Sequence, residues 1–374
     1  ILIDFKNDKI IASSDVFGTK PIWIGIGPKR FGSSSYKSAL ETEGIKNIQF
    51  LNPNTTKVIK LSNLEELYEK RVYEFNFNQF KNSYNDFENA LVESIRKRTD
   101  TDSLIGVPLS SGYDSGAICC ILNSLGVNYR TYSVSGKENM KIVSKRIHIN
   151  DVNFFIVDLQ LETINSEYKF LKDNCEKYKY DHQENLEILG DKATIGLSVL
   201  SRTANKDGIK IMLSGSGADE ILCDYAKEGK KIMFHSCFKG VFPDDLSEII
   251  DNDPKKDVVW KSFYHSTMRD YLQKDEIITG LHGIEGRYPF LDKNVVQEFL
   301  NLNKDLKNKY KGGLETIFKK NSYPFEPKKI GFNISKENIR FDENDNLEIL
   351  EKPEHVIPPK FSKMNSKILL RIGK

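Results

Sequence analysis

The sequence predicts an α/β fold, with a parallel sheet flanked by helices and a smaller β-rich segment before it. Between residues 80 and 335, short apolar runs alternate with segments of helical periodicity, which is typical of parallel strands joined by crossover helices. Over residues 1–70, short apolar runs are separated by turn residues, which favours β-strands. We therefore expect two domains and, at residues 336–374, a polar tail.

The predicted elements follow from local patterns in chain order. The β-rich segment contains four candidate strands, ILIDF, KIIASSD, PIWIGIG and RFGSSS. A connector, NFNQFKNSYND, leads into the helix DFENALVESIRKR, which places Phe87, Leu91 and Ile95 on one face. The strands of the second domain are LIGVPLS, YRTYSVS, NFFIVDL and IKIMLSGSG, and the helix after the first of them is SGAICCILNSLG. Beyond residue 255 the periodicity is mostly helical.

Composition and charge exclude several classes of protein. The 374 residues carry a formal net charge of +2 with acids and bases interspersed, so no broad electrostatic surface for nucleic acid or anionic lipid is predicted. The sequence has no apolar run of about 18 residues and no signal-peptide pattern, so we expect a cytoplasmic protein without a membrane partner. The five cysteines form no CxxC pair, which argues against a zinc site or a disulfide framework.

Two Ser/Gly-rich loops follow predicted strands of the parallel sheet. In the first, LSSGYDSG, the small residues lie where a strand hands over to a helix, and backbone N–H groups at such a turn favour an anion such as phosphate. Asp114 would repel a phosphate unless a cation lies between them, and Mg²⁺ binds carboxylates together with substrate phosphates. The second loop, LSGSGADE, supplies Asp219 at another strand end, the edge where such sheets bind ligands. The two loops together predict a site for Mg²⁺ and a nucleotide.

Each loop taken alone also has a structural interpretation. An acid such as Asp114 in the first turn of a helix is stabilised by the helix dipole by roughly 0.3–1 kcal/mol. Glu220 either supports a metal site or simply begins a helix, and Asp292 can be an N-cap. The pairing of two such loops across one predicted sheet favours the functional interpretation.

Several motifs resemble the asparagine synthetase family. LSSGYDS resembles the SGGxDS pyrophosphate loop of the ATP pyrophosphatases, and IMLSGSGADE resembles the LSGEGADE segment of asparagine synthetases. Downstream, GIEGRYPFLD is similar to the family's GLEARxPFLD. Upstream, SSDVFGTKPIWIG is similar to the RDxFGxKPLYYG stretch near the end of the glutaminase domain, and SSSYKSAL is similar to ASExKAL. The matches occur in the family's order over about residues 1–335.

The resemblance implies an ATP-pyrophosphatase (PP-loop) synthetase domain over residues 80–335 and the C-terminal part of a glutaminase-like domain over residues 1–70. It also implies a ligase reaction. A substrate carboxylate would attack the α-phosphorus of ATP, pyrophosphate would leave, and a nitrogen nucleophile would then displace AMP to give an amide. The implied cofactor and substrates are Mg²⁺, ATP, a carboxylate such as aspartate, and glutamine or ammonia. A homodimer is an open expectation.

The resemblance also assigns roles to individual residues by position. Asp114 and Asp219 would hold Mg²⁺, with Glu220 and Lys311 as further catalytic candidates. The implied pyrophosphate-binding residues are Ser110, Ser111, Gly112 and Ser115, and the implied adenosine contacts are Leu109, Val134, Ser214 and Gly215. For Lys311 the match is one of approximate position, because KYKGGLETIF does not reproduce the family's spacing.

Two departures from the family pattern bear on the reaction. The glutamate of SGEGADE, which the resemblance implies helps to deprotonate or orient the amine, is Ser216 here, and serine is no base near neutral pH without activation. Its role would pass to Glu220, Tyr225 or the substrate itself. The family's glutaminases use an N-terminal cysteine, whereas this sequence begins at Ile1. We expect a protein with the sequence as given not to hydrolyse glutamine. We favour the interpretation that the sequence is truncated at its N-terminus.

Two other functions remain open at this point. An amine within the substrate itself would close a ring, as in β-lactam synthetase and the lasso-peptide cyclases, and the replacement of the glutamate keeps that reaction open. A nucleotide-binding pseudoenzyme would use the same fold without catalysis. The presence of both predicted magnesium ligands, Asp114 and Asp219, argues against the pseudoenzyme.

Overall fold

The computed structural model describes residues 1–27, 30–149, 152–176, 188–222, 226–227, 230–231, 242–246, 267–327, 334–335, 338–342 and 344–350. Its strands are β1 Leu2–Asp4, β2 Lys9–Ser13, β3 Trp23–Gly27, β4 Arg30–Ser34, β5 Ile48–Phe50, β6 Thr55–Lys60, β7 Glu66–Arg71, β8 Ile105–Pro108, β9 Tyr129–Val134, β10 Asn153–Val157, β11 Ile211–Leu213, β12 Ala226–Lys227, β13 Lys230–Lys231, β14 Glu285–Arg287, β15 Asn338–Phe341 and β16 Leu347–Leu350. Its α-helices are α1 Lys37–Thr42, α2 Asn85–Thr99, α3 Tyr113–Ser124, α4 Met140–Ile147, α5 Leu161–Asn174, α6 Ala193–Lys206, α7 Ala218–Leu222, α8 Thr267–Leu281, α9 Lys293–Asn301, α10 Lys304–Lys307 and α11 Gly312–Lys320. Short 3₁₀ turns occur at Ile188–Gly190 and Pro289–Leu291.

A five-stranded parallel sheet forms the centre of the second domain. Its strand order is β10-β9-β8-β11-β14, and each neighbouring pair is parallel. The register places Val107 of β8 opposite Thr131 of β9, and Ile211 of β11 opposite Ile105 of β8. The predicted fold class, a parallel sheet flanked by helices, is therefore confirmed.

The strand order reverses beside β8. From β8 the chain passes outward through β9 to β10, and it then returns to place β11 on the opposite side of β8. The connections after β8 and β11 thus lead away from each other, and in open α/β sheets a ligand crevice lies at this point, at the carboxyl ends of the strands. The two Ser/Gly-rich loops begin here, at Leu109 after β8 and at Ser214 after β11.

Hydrophobic clusters cover both faces of this sheet. Consecutive strand residues point to opposite faces, and Met212 and Leu213 of β11 belong to different clusters. The cluster of Leu213 includes Leu91 of α2 and Ile118 of α3, whereas the cluster of Met212 includes Ile195 of α6. Helices therefore lie on both sides of the strands. Every helix in the described part of the chain is either too short or too polar to cross a lipid bilayer.

Residues 1–71 contain two antiparallel sheets, as the alternation of apolar runs and turn residues predicts. Their strand orders are β1-β2-β6-β7 and β4-β3-β5. The FGTKP motif joins these sheets to the second domain, because Phe17 packs in the hydrophobic cluster of α2 and α3. In addition, Nζ of Lys20 lies 2.6 Å from Oε2 of Glu276 in α8.

The segment expected to be a polar tail, residues 336–374, contains a β-hairpin. Strands β15 and β16 pair antiparallel with Ile339 opposite Ile349. Ile339 is buried, and the ring of Phe341 stacks on that of Tyr168 of α5 with the centroids 3.7 Å apart. The high polar content of this segment concealed a strand pair in which alternate apolar residues pack on the domain. Residues 351–374 lie outside the described part of the chain.

Candidate active site

The first loop turns from β8 into α3 and is held by its own hydroxyl groups. Gly112, the N-cap of α3, has extended backbone angles (φ −67°, ψ 168°). The N–H of Ser110 donates to Oγ of Ser115 at 3.0 Å, and the hydroxyls of these two serines lie 2.9 Å apart. The N–H of Gly112 donates to Oγ of Ser110 at 3.1 Å. The four residues predicted to bind pyrophosphate thus lie together where β8 passes into α3, with their N–H groups and hydroxyls close to one another; they are Ser110, Ser111, Gly112 and Ser115.

Arg146 of α4 holds this loop through hydrogen bonds to its backbone. Its Nη1 donates to the carbonyl oxygens of Ser110 and Gly112, each at 2.7 Å, and its Nε donates to the carbonyl of Pro324 at 3.0 Å. The side chain is fully buried, and its guanidinium lies 5.6 Å from the ring centroid of Phe318. Burial lowers the pKa of this guanidinium from its ordinary value. Arg146 therefore fixes the positions of two carbonyl groups of the loop.

A carboxylate occupies the donors of Ser111. Oε2 of Glu138 accepts the backbone N–H of Ser111 at 2.8 Å and its hydroxyl at 2.5 Å. Burial raises the pKa of Glu138, although the hydrogen bonds from Ser111 and the charge of Arg146 act in the opposite direction. The side chain of Glu138 therefore occupies one of the loop positions for which the family resemblance implies pyrophosphate binding.

The second loop lies directly against the first. A Cβ atom added to Gly215 would lie 3.0 Å from Cβ of Asp114, so the two loops touch at a position without a side chain. Gly217 has φ +95°, and a Cβ there would lie 2.5 Å from Cδ2 of Leu291. The loop thus needs glycine at both positions, for close approach at Gly215 and for backbone conformation at Gly217.

The two serines of the second loop share a buried carboxylate. Oδ2 of Asp275, in α8, accepts the hydroxyl of Ser216 at 2.5 Å and the hydroxyl of Ser214 at 3.1 Å. Asp275 is buried, whereas Ser214 and Ser216 are half-buried. Burial raises the pKa of Asp275, and the charge of Lys274 with the two serine hydrogen bonds offsets part of the rise.

Lys311 joins the two predicted magnesium ligands. Its Nζ lies 2.7 Å from Oδ1 of Asp219 and also forms an ion pair with Oδ1 of Asp114. The Lys311 side chain is 2% exposed, and those of Asp114 and Asp219 are 26% and 18% exposed. Lys311 precedes α11 with φ +49°, a left-handed conformation that is uncommon outside glycine. The structure therefore brings Asp114, Asp219 and Lys311 together at the ends of adjacent strands.

Two carboxylates that converge on one ammonium group provide a position suited to a cation. Proteins bind Mg²⁺ through one or two carboxylates together with phosphate oxygens and water. Asp114 and Asp219 provide two carboxylates at this position. Within the described residues no group of three or more His, Cys, Asp or Glu side chains could hold a metal ion. A Mg²⁺ ion held by these two carboxylates would need phosphate oxygens or water as its remaining ligands.

The other predicted contacts are placed as follows. Leu109 and Val134 are buried, so a nucleotide would reach them through the backbone and not through the side chains. The carboxylate of Glu220 accepts the N–H of Gly217 at 3.1 Å, three residues earlier, which is the contact of a capping box at the start of α7. That contact favours the structural interpretation of Glu220. Tyr225 lies outside the described residues.

The GIEGRYPFLD motif supports the sheet edge structurally. Nε of Arg287 donates to Oε1 of Glu285 at 2.9 Å, and its Nη1 donates to the carbonyl of Arg98 at 2.7 Å. Oδ1 of Asp292 accepts the N–H of Asn294 at 2.9 Å and caps α9. Each side chain is occupied by a contact within the fold.

Three residues of the site carry no signal in the sequence. Glu138 follows a strand in an ordinary turn, and Arg146 and Asp275 lie in helices whose charged residues look like solvated surface. Their involvement depends on which helix packs beneath which loop. A buried charge in an amphipathic helix cannot be distinguished from an exposed one by periodicity alone.

Comparison with known proteins decides the family. A family model described as asparagine synthase matches residues 86–251 and 246–330, which is more than half of the chain. The chain belongs to the asparagine synthase family. Both Ser/Gly-rich loops, Arg146, Asp275 and Lys311 lie within the matched residues. The resemblance noted in the sequence is thereby confirmed.

Curated relatives in the asparagine synthase family are named as glutamine-hydrolyzing asparagine synthetases. A putative one from Methanocaldococcus jannaschii is 25% identical over 323 residues, which cover 80% of this chain and 55% of the relative. A probable one from Acanthamoeba polyphaga mimivirus is 24% identical over 349 residues, covering 82% of this chain and 56% of the relative. Asparagine synthetase 2 of Arabidopsis thaliana is 25% identical over 365 residues, covering 88% and 56%. The chain spans about half the length of these relatives.

Among solved structures, NMN synthetase from Francisella tularensis matches 68% of this chain and 99% of its own. The TM-score is 0.29 at 12% identity. A TM-score and a sequence identity this low support no inference about the fold or function of this chain.

Proposed function

We propose that this chain catalyses an ATP-dependent amide-forming reaction in which Mg²⁺-bound ATP adenylates a substrate carboxylate and nitrogen then displaces AMP. The convergence of Asp114 and Asp219 on Lys311 is the observation that carries the proposal. Two acids from neighbouring strand ends meet at the crevice of a parallel sheet, where nucleotides bind. Membership of the asparagine synthase family supports the same reaction class.

Each residue of the site has a role in this reaction. The N–H groups and hydroxyls of Ser110, Ser111, Gly112 and Ser115 bind phosphate oxygens, and Arg146 keeps the loop in shape. Asp114 and Asp219 hold Mg²⁺, which neutralises charge on the phosphates when bound. Lys311, whose Nζ reaches both carboxylates, adds positive charge at the same place. Catalysis then consists largely of positioning and charge neutralisation.

The proposed carboxylate is aspartate or a related acid, and the proposed nitrogen source is ammonia or glutamine. The named activity of the relatives supports aspartate as the acid, and ammonia and glutamine are both tested as the nitrogen source. A ring-forming synthetase is the second candidate, because Ser216 stands where the resemblance places a glutamate. A substrate that carries both a carboxylate and an amine would distinguish that reaction.

Pyrophosphate exchange into ATP tests the first half-reaction. The assay uses Mg²⁺ and a panel of carboxylates that includes aspartate. Exchange with aspartate would support the asparagine synthetase reaction, and exchange with an amino-acid-like substrate that then cyclises would support the second candidate. ATP binding without exchange for any carboxylate would contradict the proposal and favour a non-catalytic nucleotide-binding protein.

The metal role is tested with Asp114→Asn and Asp219→Asn. We expect each to lower exchange by roughly 100-fold or more, because the site loses a ligand to a charge-neutralising ion worth several kcal/mol. Asp86→Asn is the matched control, since Asp86 lies in the first turn of α2, as Asp114 does in α3, and pairs with Lys81 at 2.6 Å. Exchange at the wild-type rate in either site variant would refute the metal role.

A further inference from the structure

Formation of an amide requires a group that accepts a proton. When nitrogen attacks an acyl-adenylate, a C–N bond forms, the bond between carbon and the phosphate oxygen breaks, and AMP leaves with that electron pair. The nitrogen must then lose a proton to reach the neutral amide. A serine hydroxyl near neutral pH does not take that proton unless another group accepts its own.

The second loop holds such an arrangement. Ser216 is half-buried and therefore reachable, and it is the residue after Gly215, which lies against Asp114. Its hydroxyl donates to Oδ2 of Asp275 at 2.5 Å. Asp275 is itself only 7% exposed, so a substrate reaches it through Ser216 and not directly.

Hydrogen-bond counting shows what Ser216 presents to the crevice. An ionised carboxylate only accepts, so the hydroxyl proton of Ser216 points to Asp275. The hydroxyl oxygen of Ser214 lies 3.0 Å from Oγ of Ser216. Because this hydroxyl has one proton, it can donate to at most one of the two lone pairs on Oγ of Ser216. Oγ of Ser216 therefore keeps a lone pair that can accept an N–H from an incoming amine.

Charged neighbours of Asp275 are themselves paired. Nζ of Lys274 lies 2.9 Å from Oδ2 of Asp191, and Glu276 is bound by Lys20 at 2.6 Å and by the hydroxyl of Tyr288 at 2.7 Å. Among the residues that the structure describes, Asp275 receives hydrogen bonds from the two serines and forms no ion pair. Burial, which raises the pKa of Asp275, makes it a better proton acceptor than a solvated aspartate.

We infer that Ser216 and Asp275 form the proton-accepting pair of the amide-forming half-reaction, an inference that rests on the proposed function. The nitrogen gives its proton to Oγ of Ser216, and the Ser216 hydroxyl proton passes to Oδ2 of Asp275, which becomes a neutral carboxylic acid. Ser216 is the residue that touches the nucleophile, and Asp275 is a positioning residue that acts through it. Return of the proton to solvent restores the pair.

The test separates the two half-reactions in Asp275→Asn. With aspartate as the acid, we expect pyrophosphate exchange and Mg-ATP binding by calorimetry to stay within about threefold of wild type, because the variant keeps the phosphate-binding loop. With ammonium as the nitrogen source, amide formation should fall by about 100-fold, the usual contribution of a proton-transferring group. At a constant concentration of free ammonia, the part of the low-pH fall in the wild-type amide-forming rate that comes from protonation of Asp275 should be absent from the variant.

A rescue and a matched control exclude a merely structural effect. Ser216→Glu introduced together with Asp275→Asn places a carboxylate on the loop itself. The amide-forming rate of this double variant should be at least about 10-fold higher than that of Asp275→Asn alone. Glu167→Gln is the control, since Glu167 is also buried and accepts a serine hydroxyl, that of Ser198, at 2.5 Å. This control should leave the ratio of amide formation to exchange unchanged.

The outcomes distinguish this inference from the proposed function. Suppose that wild type catalyses exchange. The inference would be overturned if Asp275→Asn lost exchange and amide formation equally, or lost neither, and the proposed adenylation would remain supported. Exchange by wild type without any amide from ammonium would overturn it as well. Absence of exchange in wild type with every carboxylate would instead overturn the proposed function, and the inference with it.

Discussion

Nζ of Lys311 lies 2.7 Å from Oδ1 of Asp219 and pairs at the same time with Asp114. The two acids lie in the first turns of α3 and α7, the helices that follow β8 and β11, and the lysine comes from the turn before α11. Residues separated by nearly 200 positions therefore meet at one point. The buried ammonium group of Lys311 contacts both acids and offsets part of their negative charge.

Lys311→Met should destabilise the protein in a way that Mg²⁺ reverses. Removal of one partner of a fully buried ion pair costs roughly 3–5 kcal/mol, and we expect about 1–3 kcal/mol here because both aspartates are partly solvated. Without the ammonium group, the acids should bind Mg²⁺ more tightly, so millimolar Mg²⁺ should raise Tm more in the variant than in wild type. Lys320→Met is the control, because Lys320 lies at the end of the helix that Lys311 precedes and pairs with Glu88. An equal Mg²⁺ effect in all three proteins would contradict a shared cation position.

Glu138→Gln should tighten the binding of inorganic pyrophosphate. The Glu138 carboxylate accepts the N–H and hydroxyl of Ser111, so it competes with phosphate for the same donors and repels it. Replacement of this charged acceptor by a neutral one should increase affinity by roughly 5- to 30-fold, or about 1–2 kcal/mol. Titration calorimetry measures the change, with Glu326→Gln as the control because Glu326 accepts from the neighbouring Asn139. Weaker binding in Glu138→Gln would mean that Glu138 shapes the loop and does not compete.

Gly116→Ala should weaken both the fold and the first loop. A Cβ at this position would lie 2.6 Å from Cζ of Arg146, whose guanidinium holds the carbonyls of Ser110 and Gly112. We expect a loss of about 1–3 kcal/mol in the free energy of unfolding, typical of overpacking, with lower affinity for pyrophosphate. Gly27→Ala, where an added Cβ meets no atom within 4 Å, should leave both unchanged. Unchanged pyrophosphate affinity in Gly116→Ala would show that Arg146 does not govern the loop.

Stability should depend on the ionisation of His282. The Ser198 hydroxyl donates to Glu167 at 2.5 Å and accepts from Nε2 of His282 at 2.7 Å. Burial, together with the charge of Arg202, lowers the pKa of His282 from 6.5 to about 4. The unfolded chain therefore binds more protons than the folded one between these values, and stability should fall as pH decreases from 6.5 to about 4. Urea unfolding of His282→Gln should show a shallower decline over this range, and parallel curves for the two proteins would contradict the assignment.

Much of the fold could be predicted because its signals are local. The alternation of apolar runs with helical segments indicates a parallel sheet. The small residues at strand ends identify the loops LSSGYDSG and LSGSGADE. The sequence does not predict the hairpin of β15 and β16, because its packing depends on a contact between Phe341 and Tyr168 that no local pattern reveals. For Glu220 the sequence leaves two interpretations open, support of a metal site or the start of a helix, and the contact with the N–H of Gly217 favours the second.

By itself, the sequence determined which residues could carry the chemistry: the two Ser/Gly-rich loops, Asp114 and Asp219, and the replacement of a glutamate by Ser216. Tertiary structure alone decided which side chains complete the site, namely Asp275 behind Ser216, Glu138 on Ser111 and Arg146 beneath the first loop. The physical reason is distance along the chain. Backbone turns and apolar periodicity are set by neighbours a few positions apart, whereas a buried charge acquires its partner only when distant helices pack against one sheet edge.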